Sequence, residues 1–281
     1  MQDLRQSTEY GKHMEAIGWK VEKINSTQAF IRPLLFIGSI IKIQRPQNLS
    51  FPDIDKLAKK YKAIFVKVEP CNHGNTEIFR NHGFKKNKSP MLCSKTIQID
   101  LTKSEEQILK DMKKDTRYEL KKIPKNKITL EETNDLFLFR KFWKEYASFK
   151  RWIPPISFLQ SLKKSFGKNS IFLLAKQDEK ILGGITLILN ERTAYYYFAF
   201  SSKEGKKSGV PYFLVWEAIK LAKSSKCKAF DFEGIYDERF PNNSWQGFTH
   251  FKKGFGGKEV EFPQPIIKLY NPVLKLIAKY L

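Results

Sequence analysis

Three apolar runs divided by two short polar breaks restrict this chain more than any other stretch. "SIFLLAK", "ILGGITLILN" and "TAYYYFAFSS" are separated by Gln177–Lys180 and by Glu191-Arg192. Runs of this length, rich in Ile, Leu, Phe and Tyr and bounded by turn residues, predict three successive strands, and breaks this short join them as antiparallel neighbours. A loop, "KEGKKSG", follows, and Pro211 near a first turn opens the helix "VPYFLVWEAIKLAKSS". "CKAFDFEGI" then reads as a strand brought back parallel to the one before the helix.

The rest of the chain is mixed in the same way. "AFIRPLLFIGSIIKIQ" (Ala29–Gln44) predicts a hairpin, "DIDKLAKKYK" (Asp53–Lys62) a short helix, and "AIFVKVEP" (Ala63–Pro70) a strand stopped by proline. "IFRNHGF" reads as a helix ending at Gly83. A second unit begins near "TIQIDL" (Thr96–Leu101). Thr102 and Glu105 have capping-box spacing and open one helix with Leu109, Met112, Thr116, Leu120 and Ile123 as its apolar stripe. Its other faces carry Lys110, Lys113, Lys114, Arg117, Lys121 and Lys122, either a solvated face or a track for phosphates. Helices are expected over Leu136–Phe149 and Ser157–Phe166, the latter with Ser157 and Gln160 as cap pair and Gly167 as stop. The tail "PIIKLYNPVLKLIAKYL" reads as a terminal helix, docked on the core or lying at a lipid interface.

Charge narrows the partners. Fifty-one Lys and Arg against 29 Asp and Glu leave a net charge of +22 in 281 residues, which favours nucleic acid, anionic headgroups or phosphorylated substrates. Three cysteines, Cys71, Cys93 and Cys227, are too few and too scattered for a disulfide framework and fit a reducing compartment. The N-terminus has no apolar signal-peptide core, and the longest apolar run, Leu34–Ile41, is about ten residues short of a membrane span. These features suit a cytoplasmic protein; the oligomeric state is not written in them. Cys71, His73, His82 and Cys93 match no common zinc spacing, and no nucleophile-elbow or phosphate-loop pattern is present.

The order of antiparallel strands, helix and parallel strand is similar to the core of the GNAT-type acyltransferase fold. In that fold the strand–helix loop cradles the pyrophosphate of coenzyme A with backbone N–H groups. Here the loop reads Lys206-Lys207-Ser208-Gly209-Val210-Pro211, and Pro211 has no N–H to give. A coenzyme A-dependent acetyltransferase is therefore disfavoured. Further on, "FTHFKKGFGG" sets Lys252 and Lys253 among Phe251, Phe255 and three glycines. Packing accounts for the rings and turns for the glycines, but a lysine sheltered by aromatics makes a fixed positive charge suited to an oxyanion or phosphate.

"PYFLVWEAIKLAKSSKCKAFDFEGI…WQGFTHFKKGFGGKEVEFP" resembles the Fem-type (FemABX) peptidoglycan bridge aminoacyltransferases. "ILKDMKKDTRYELKK" and "FWKEYASFKRWIPPISFLQSL" look like earlier segments of that family, and "IIKIQRPQ" and "FVKVEP" fit its strand pair ending in R-G-P and D-P. Arg45-Pro46 lacks the glycine of the first, and Glu69 stands for the acid of the second. The resemblance implies two GNAT-like α/β domains, mixed sheets flanked by helices, over 1–92 and 93–263, with 264–281 packing back on the first. The helical coiled-coil arm of some members is absent from this sequence.

The implied activity is transfer of Gly, Ala or Ser from aminoacyl-tRNA to the stem-peptide amine of lipid II or its nucleotide-linked muramyl pentapeptide. The aminoacyl-tRNA is a co-substrate, and no cofactor is implied. By the same resemblance Lys252 stabilises the oxyanion, Phe251 walls the channel for the tRNA 3′ end and Tyr212 positions substrate. Arg151, Arg45 and Arg32, with Glu69, would bind the precursor. Peripheral contact with the inner membrane face would follow from a lipid-linked substrate. Two other readings stay open: a GNAT enzyme acting on another small amine, and a non-catalytic binder of RNA or membrane surface.

Overall fold

The structure is a computed structural model that describes residues 2–72, 76–123, 127–147 and 152–271. His73, Phe149, Arg151 and the tail beyond Asn271 lie outside the described residues. The chain divides into two compact units, one built from 2–94, 237–241 and the chain from 261, the other from 95–236 and 242–260.

The first unit contains α1 (Thr8–Ala16), β1 (Lys20–Ile24), β2 (Thr27–Leu34), β3 (Gly38–Gln44), α2 (Phe51–Lys60), β4 (Ala63–Glu69), α3 (Thr76–Asn81) and β5 (Lys85–Lys86). β1, β2 and β3 form an antiparallel meander, and α2 returns the chain so that β4 lies parallel to β3. One face of α2 drives the crossover: Phe51, Ile54, Leu57 and Ala58 are buried in a core with Ile41, Ile43, Val66 and Val68. Pro52 sits in its first turn, where its missing N–H costs nothing. The helix therefore starts earlier than Asp53.

The second unit carries β6 (Lys95–Asp100), α4 (Glu105–Asp111), α5 (Lys114–Lys122), β7 (Thr129–Glu132), α6 (Leu136–Tyr146) and α7 (Ile156–Phe166). It continues through β8 (Ser170–Gln177), β9 (Lys180–Asn190), β10 (Thr193–Ser201), α8 (Lys203–Lys207), α9 (Val210–Ser224), β11 (Ala229–Asp231), α10 (Gln246–Gly254) and β12 (Lys258–Glu261). Its seven strands run in the order β12-β6-β11-β10-β9-β8-β7. β8, β9 and β10 are antiparallel as expected, and α9 returns the chain to β11, parallel to β10. Val210, Leu214, Val215, Ala218, Ile219 and Ala222 seat α9 on the core.

Four expectations change. The tail does not begin as a helix: Ile266–Leu269 is a strand, β13, antiparallel to β4 and, through Ile266 and Ile267, to β5. The open edge of β4 offers main-chain donors and acceptors that a strand satisfies and a helix cannot. The basic helix is two helices, broken where Met112 and Lys113 are extended (ψ 152° and 150°). Lys113 N–H leaves the helical ladder to donate to Gly254 O (2.9 Å), and the Arg117 guanidinium donates to Met112 O and Lys110 O. Its capping box is Ser104 with Gln107, two residues on from the expected Thr102 and Glu105. α7 is entered from Pro155 with no side-chain cap, so Ser157 and Gln160 lie inside the helix. Finally, part of the loop after β10 is the short α8, capped by the Ser202 side chain.

The glycines that end α10 are required by this packing. Gly256 and Gly257 have φ of +77° and +88°, and a Cβ at either would lie 2.6 Å from a main-chain oxygen, of Asp111 and Gln98 respectively. Gly257→Ala should therefore lower stability by about 1–3 kcal/mol. A shift of the urea unfolding midpoint relative to wild type, with far-ultraviolet circular dichroism unchanged, is the measurement.

Candidate functional site

The site forms where two parallel strands stop pairing. β10 and β11 pair from Thr193↔Ala229 to Tyr195↔Asp231, while β10 continues along β9 to Ser201. A β-bulge between Tyr196 and Phe198 bends β10 at that point. The chain after β11 turns through Glu233 and Gly234, at φ of +54° and +116°. Tyr196 and Phe232 line the place where the strands part, ring centroids 5.7 Å apart.

α10 brings Lys252 to this place. Its side chain is 7% exposed, and Nζ donates to Phe232 O (2.7 Å) and Gly234 O (2.6 Å). The ammonium also lies 4.9 Å from the Phe248 ring centroid and 5.2 Å from that of Tyr196, within cation–π range. The helix is pinned by Thr249, whose Oγ1 accepts from Tyr236 N–H (2.7 Å), and by the contact of Gly254 with Thr116. Lys253, one residue on, is half-exposed and pairs with Glu259 (2.6 Å), which also holds Lys95 (2.9 Å). Adjacent lysines thus have different fates, one buried on main-chain carbonyls and one in a surface ion pair.

Phe251 and Tyr212 adjoin this centre. The Tyr212 ring, in the first turn of α9, packs edge-on against Phe251 (5.0 Å) and beside Phe255 (6.0 Å), and Phe255 meets Phe232 (5.7 Å). Burial, reinforced by Glu119 and Asp115, raises the Tyr212 phenol above its ordinary pKa, so at neutral pH it is a hydrogen-bond donor. The neighbouring 203–210 segment is a poor phosphate cradle. Ser208 N–H and Gly209 N–H donate to Glu204 O and Lys206 O, and Tyr212 and Phe213 N–H donate to Gly209 O.

Asp231 closes β11 and is 4% exposed. Its carboxylate accepts from Thr96 Oγ1 (2.6 Å), Gln98 Nε2 (2.8 Å) and Glu233 N–H (2.8 Å). Burial, then the Glu233 charge, raises its pKa to about 6 against the pull of these donors.

The remaining expected residues divide. Lys252, Phe251 and Tyr212 come together in the second unit, whereas Arg32, Arg45 and Glu69 belong to the first, and Arg151 lies outside the described residues. Arg45 is 3% exposed: it donates to Pro70 O (3.0 Å) and Cys93 O (2.5 Å) and lies over the Phe262 ring. Glu69 accepts from Met91 N–H (2.6 Å) and Leu92 N–H (2.9 Å). The hydrogen bonds of both go to their own chain. Arg32 is exposed, stacks on Trp19 and donates to Ile17 O (2.9 Å). Sequence reasoning missed Tyr196 and Phe248 as walls of the site; the four-aromatic run Tyr195–Phe198 was the available signal.

Residues 159–280 match the model of the FemAB family. The whole chain is similar in fold to FemX, at 15% identity, covering 98% of this chain and 94% of that one with a TM-score of 0.83. L-PGS from Bacillus licheniformis matches at 11% identity over 94% and 88% of the two chains, TM-score 0.58. A tandem GNAT protein from the clavulanic acid biosynthesis pathway matches at 9% over 88% and 83%, TM-score 0.54. No curated protein matches in sequence. The fold is GNAT-like, built twice, and the segment that matches the FemAB family model holds Lys252.

Because folding raises the Asp231 pKa from 3.8 to about 6, the folded state holds the extra proton between those values. This contribution to stability is complete below about pH 4 and is lost as pH rises through about 6, a loss of about 3 kcal/mol at most. Asp231→Asn should remove that slope from the pH dependence of the unfolding midpoint. A wild-type slope persisting in the variant would assign it to another group.

Proposed function

We propose that this chain transfers an aminoacyl group from aminoacyl-tRNA to the stem-peptide amine of a peptidoglycan precursor, lipid II or its nucleotide-linked form. The observation that carries the reading is the buried Lys252 ammonium, fixed by Phe232 O and Gly234 O where β10 and β11 part. The family match and the GNAT-like neighbours support an acyltransferase of this class. The donor amino acid is Gly, Ala or Ser, and both substrates would meet the protein in the cytoplasm.

The ester of aminoacyl-tRNA is already activated, so the protein's task is positioning and charge stabilisation. The neutral acceptor amine attacks the ester carbonyl, forming the C–N bond and a tetrahedral oxyanion. Collapse breaks the C–O bond to the terminal ribose, and the proton lost by the amine ends on the released ribose hydroxyl. The Lys252 ammonium faces the developing negative charge at no cost in reorganisation, because its two carbonyl anchors already orient it. Phe251 and Tyr212 wall the approach, with the Tyr212 hydroxyl as donor. Arg151 and Arg32 supply cations for precursor phosphates, in forks that suit bidentate binding.

Lys252→Met should lower transfer of labelled amino acid from a panel of charged tRNAs to the precursor by about 100- to 1000-fold, equivalent to about 3–4 kcal/mol of barrier. Binding of tRNA and of precursor should stay within a few-fold of wild type, with thermal unfolding as the control for the lost carbonyl contacts. Absence of transfer by the wild type, despite binding of both substrates, would promote the binder reading.

A further inference from the structure

The turn between β2 and β3 is Leu35-Phe36-Ile37, with side chains 82%, 97% and 64% exposed. Hairpin turns of this size ordinarily use Gly, Asn or Asp, because one or more residues must adopt positive φ. Here Phe36 takes that conformation, at φ +64°, a strained position for a bulky side chain. Its ring makes no compensating burial. The turn is also held firmly. Ile37 N–H donates to Leu34 O (3.3 Å), and Ser39 N–H donates to Lys62 O (3.2 Å). Gly38, at φ +114°, approaches so closely that a Cβ would lie 2.3 Å from Lys62 O. Three adjoining large apolar side chains, displayed at the cost of strain on a braced turn, are not explained by the core.

The surroundings are cationic. Arg32 precedes the turn on β2, Lys62 is joined to its base by the Ser39 bond, and Lys59 lies in the last turn of α2; all three are exposed. Glu22, on the neighbouring β1, is paired with Lys60 (2.7 Å). An apolar apex collared by Lys and Arg is complementary to a bilayer with anionic headgroups: rings and aliphatic chains enter the acyl boundary while cations meet phosphates.

We propose that the β2–β3 turn is a membrane-docking wedge that seats Leu35, Phe36 and Ile37 in the interfacial layer of an anionic phospholipid bilayer. The inference goes beyond acyl transfer and needs no substrate, so its failure leaves that reading untouched. The rival occupants are a second copy of the chain and residues 272–281. The last described residue, Asn271, donates to Ile64 O (3.2 Å), just after the Lys62 turn.

The experiment is partition of the full chain onto vesicles of phosphatidylcholine with and without phosphatidylglycerol. The variant Leu35→Ser/Phe36→Asn/Ile37→Ser keeps a residue tolerant of positive φ at 36 and should lower partition about tenfold or more. Lys59→Glu/Lys62→Glu should weaken binding to the anionic vesicles while leaving binding to phosphatidylcholine unchanged. Wild-type partition by the turn variant would overturn the proposal and assign binding to diffuse surface charge. So would lipid-free self-association that the turn variant abolishes, or vesicle binding that appears only on truncation after Asn271.

Discussion

A buried ammonium held by two main-chain carbonyls is the interaction on which the second unit's arrangement turns. Removing a charge from water is costly unless it is hydrogen-bonded, and a carbonyl oxygen is a weaker partner than a carboxylate. Lys252 is held by Phe232 O and Gly234 O, in the segment that leaves β11. Lys253 shows the alternative, since Glu259 offsets its charge at the surface. A lysine placed for packing or solubility follows the second pattern. On the proposed reading, the first pattern suits a lysine that meets a negative charge appearing only during reaction.

The two units use one topology to opposite ends. Each has an antiparallel meander, a helical crossover and a returning parallel strand, β3–α2–β4 in one and β10–α9–β11 in the other. In the first unit the parallel pair is closed to its end. It runs from Ser39↔Ala63 to Gln44↔Glu69, Arg45 N–H adds a bond to Glu69 O, and the Arg45 guanidinium binds the loops beyond. In the second, β11 is three residues long and the strands part after Asp231. The same crossover thus yields a strand pair closed to its end in one unit and strands that part in the other. Which result is reached depends on the residues just past the strand ends, Arg45 and Glu69 in one case, Phe232 and Lys252 in the other.

This division explains what the sequence could and could not disclose. β8, β9, β10 and α9 are specified locally, by apolar runs, polar breaks and Pro211, and they appear as read. The grouping of Lys252 with Phe251 was legible because both lie in one short run, and Tyr212 joined them through the family resemblance. The break between α4 and α5 was not legible. Its apolar stripe is continuous through Met112 and Thr116, and the interruption depends on Gly254 O, more than a hundred residues away in sequence. β13 was hidden for a similar reason: Ile266–Leu269 becomes a strand because β4 has an edge to pair with. The roles of Arg45 and Glu69 were obscured too, since their partners are main-chain groups of distant loops and carry no side-chain signature.

On the proposed reading, the site also bears on the form in which the acyl group arrives. A coenzyme A thioester has a pyrophosphate, which GNAT enzymes hold with free N–H groups in the strand–helix loop. In this chain Ser208, Gly209, Tyr212 and Phe213 direct their N–H groups to chain carbonyls, Pro211 has none, and α8 occupies part of the loop. An aminoacyl-tRNA makes no such demand there. Its phosphates are spread along a long polyanion that a +22 surface attracts as a whole. What the reacting end requires is a narrow apolar approach and one fixed cation. Phe251, Tyr212 and Lys252 provide those features, which is why, on the proposed reading, the fold could give up its nucleotide cradle and keep the opening between its strands.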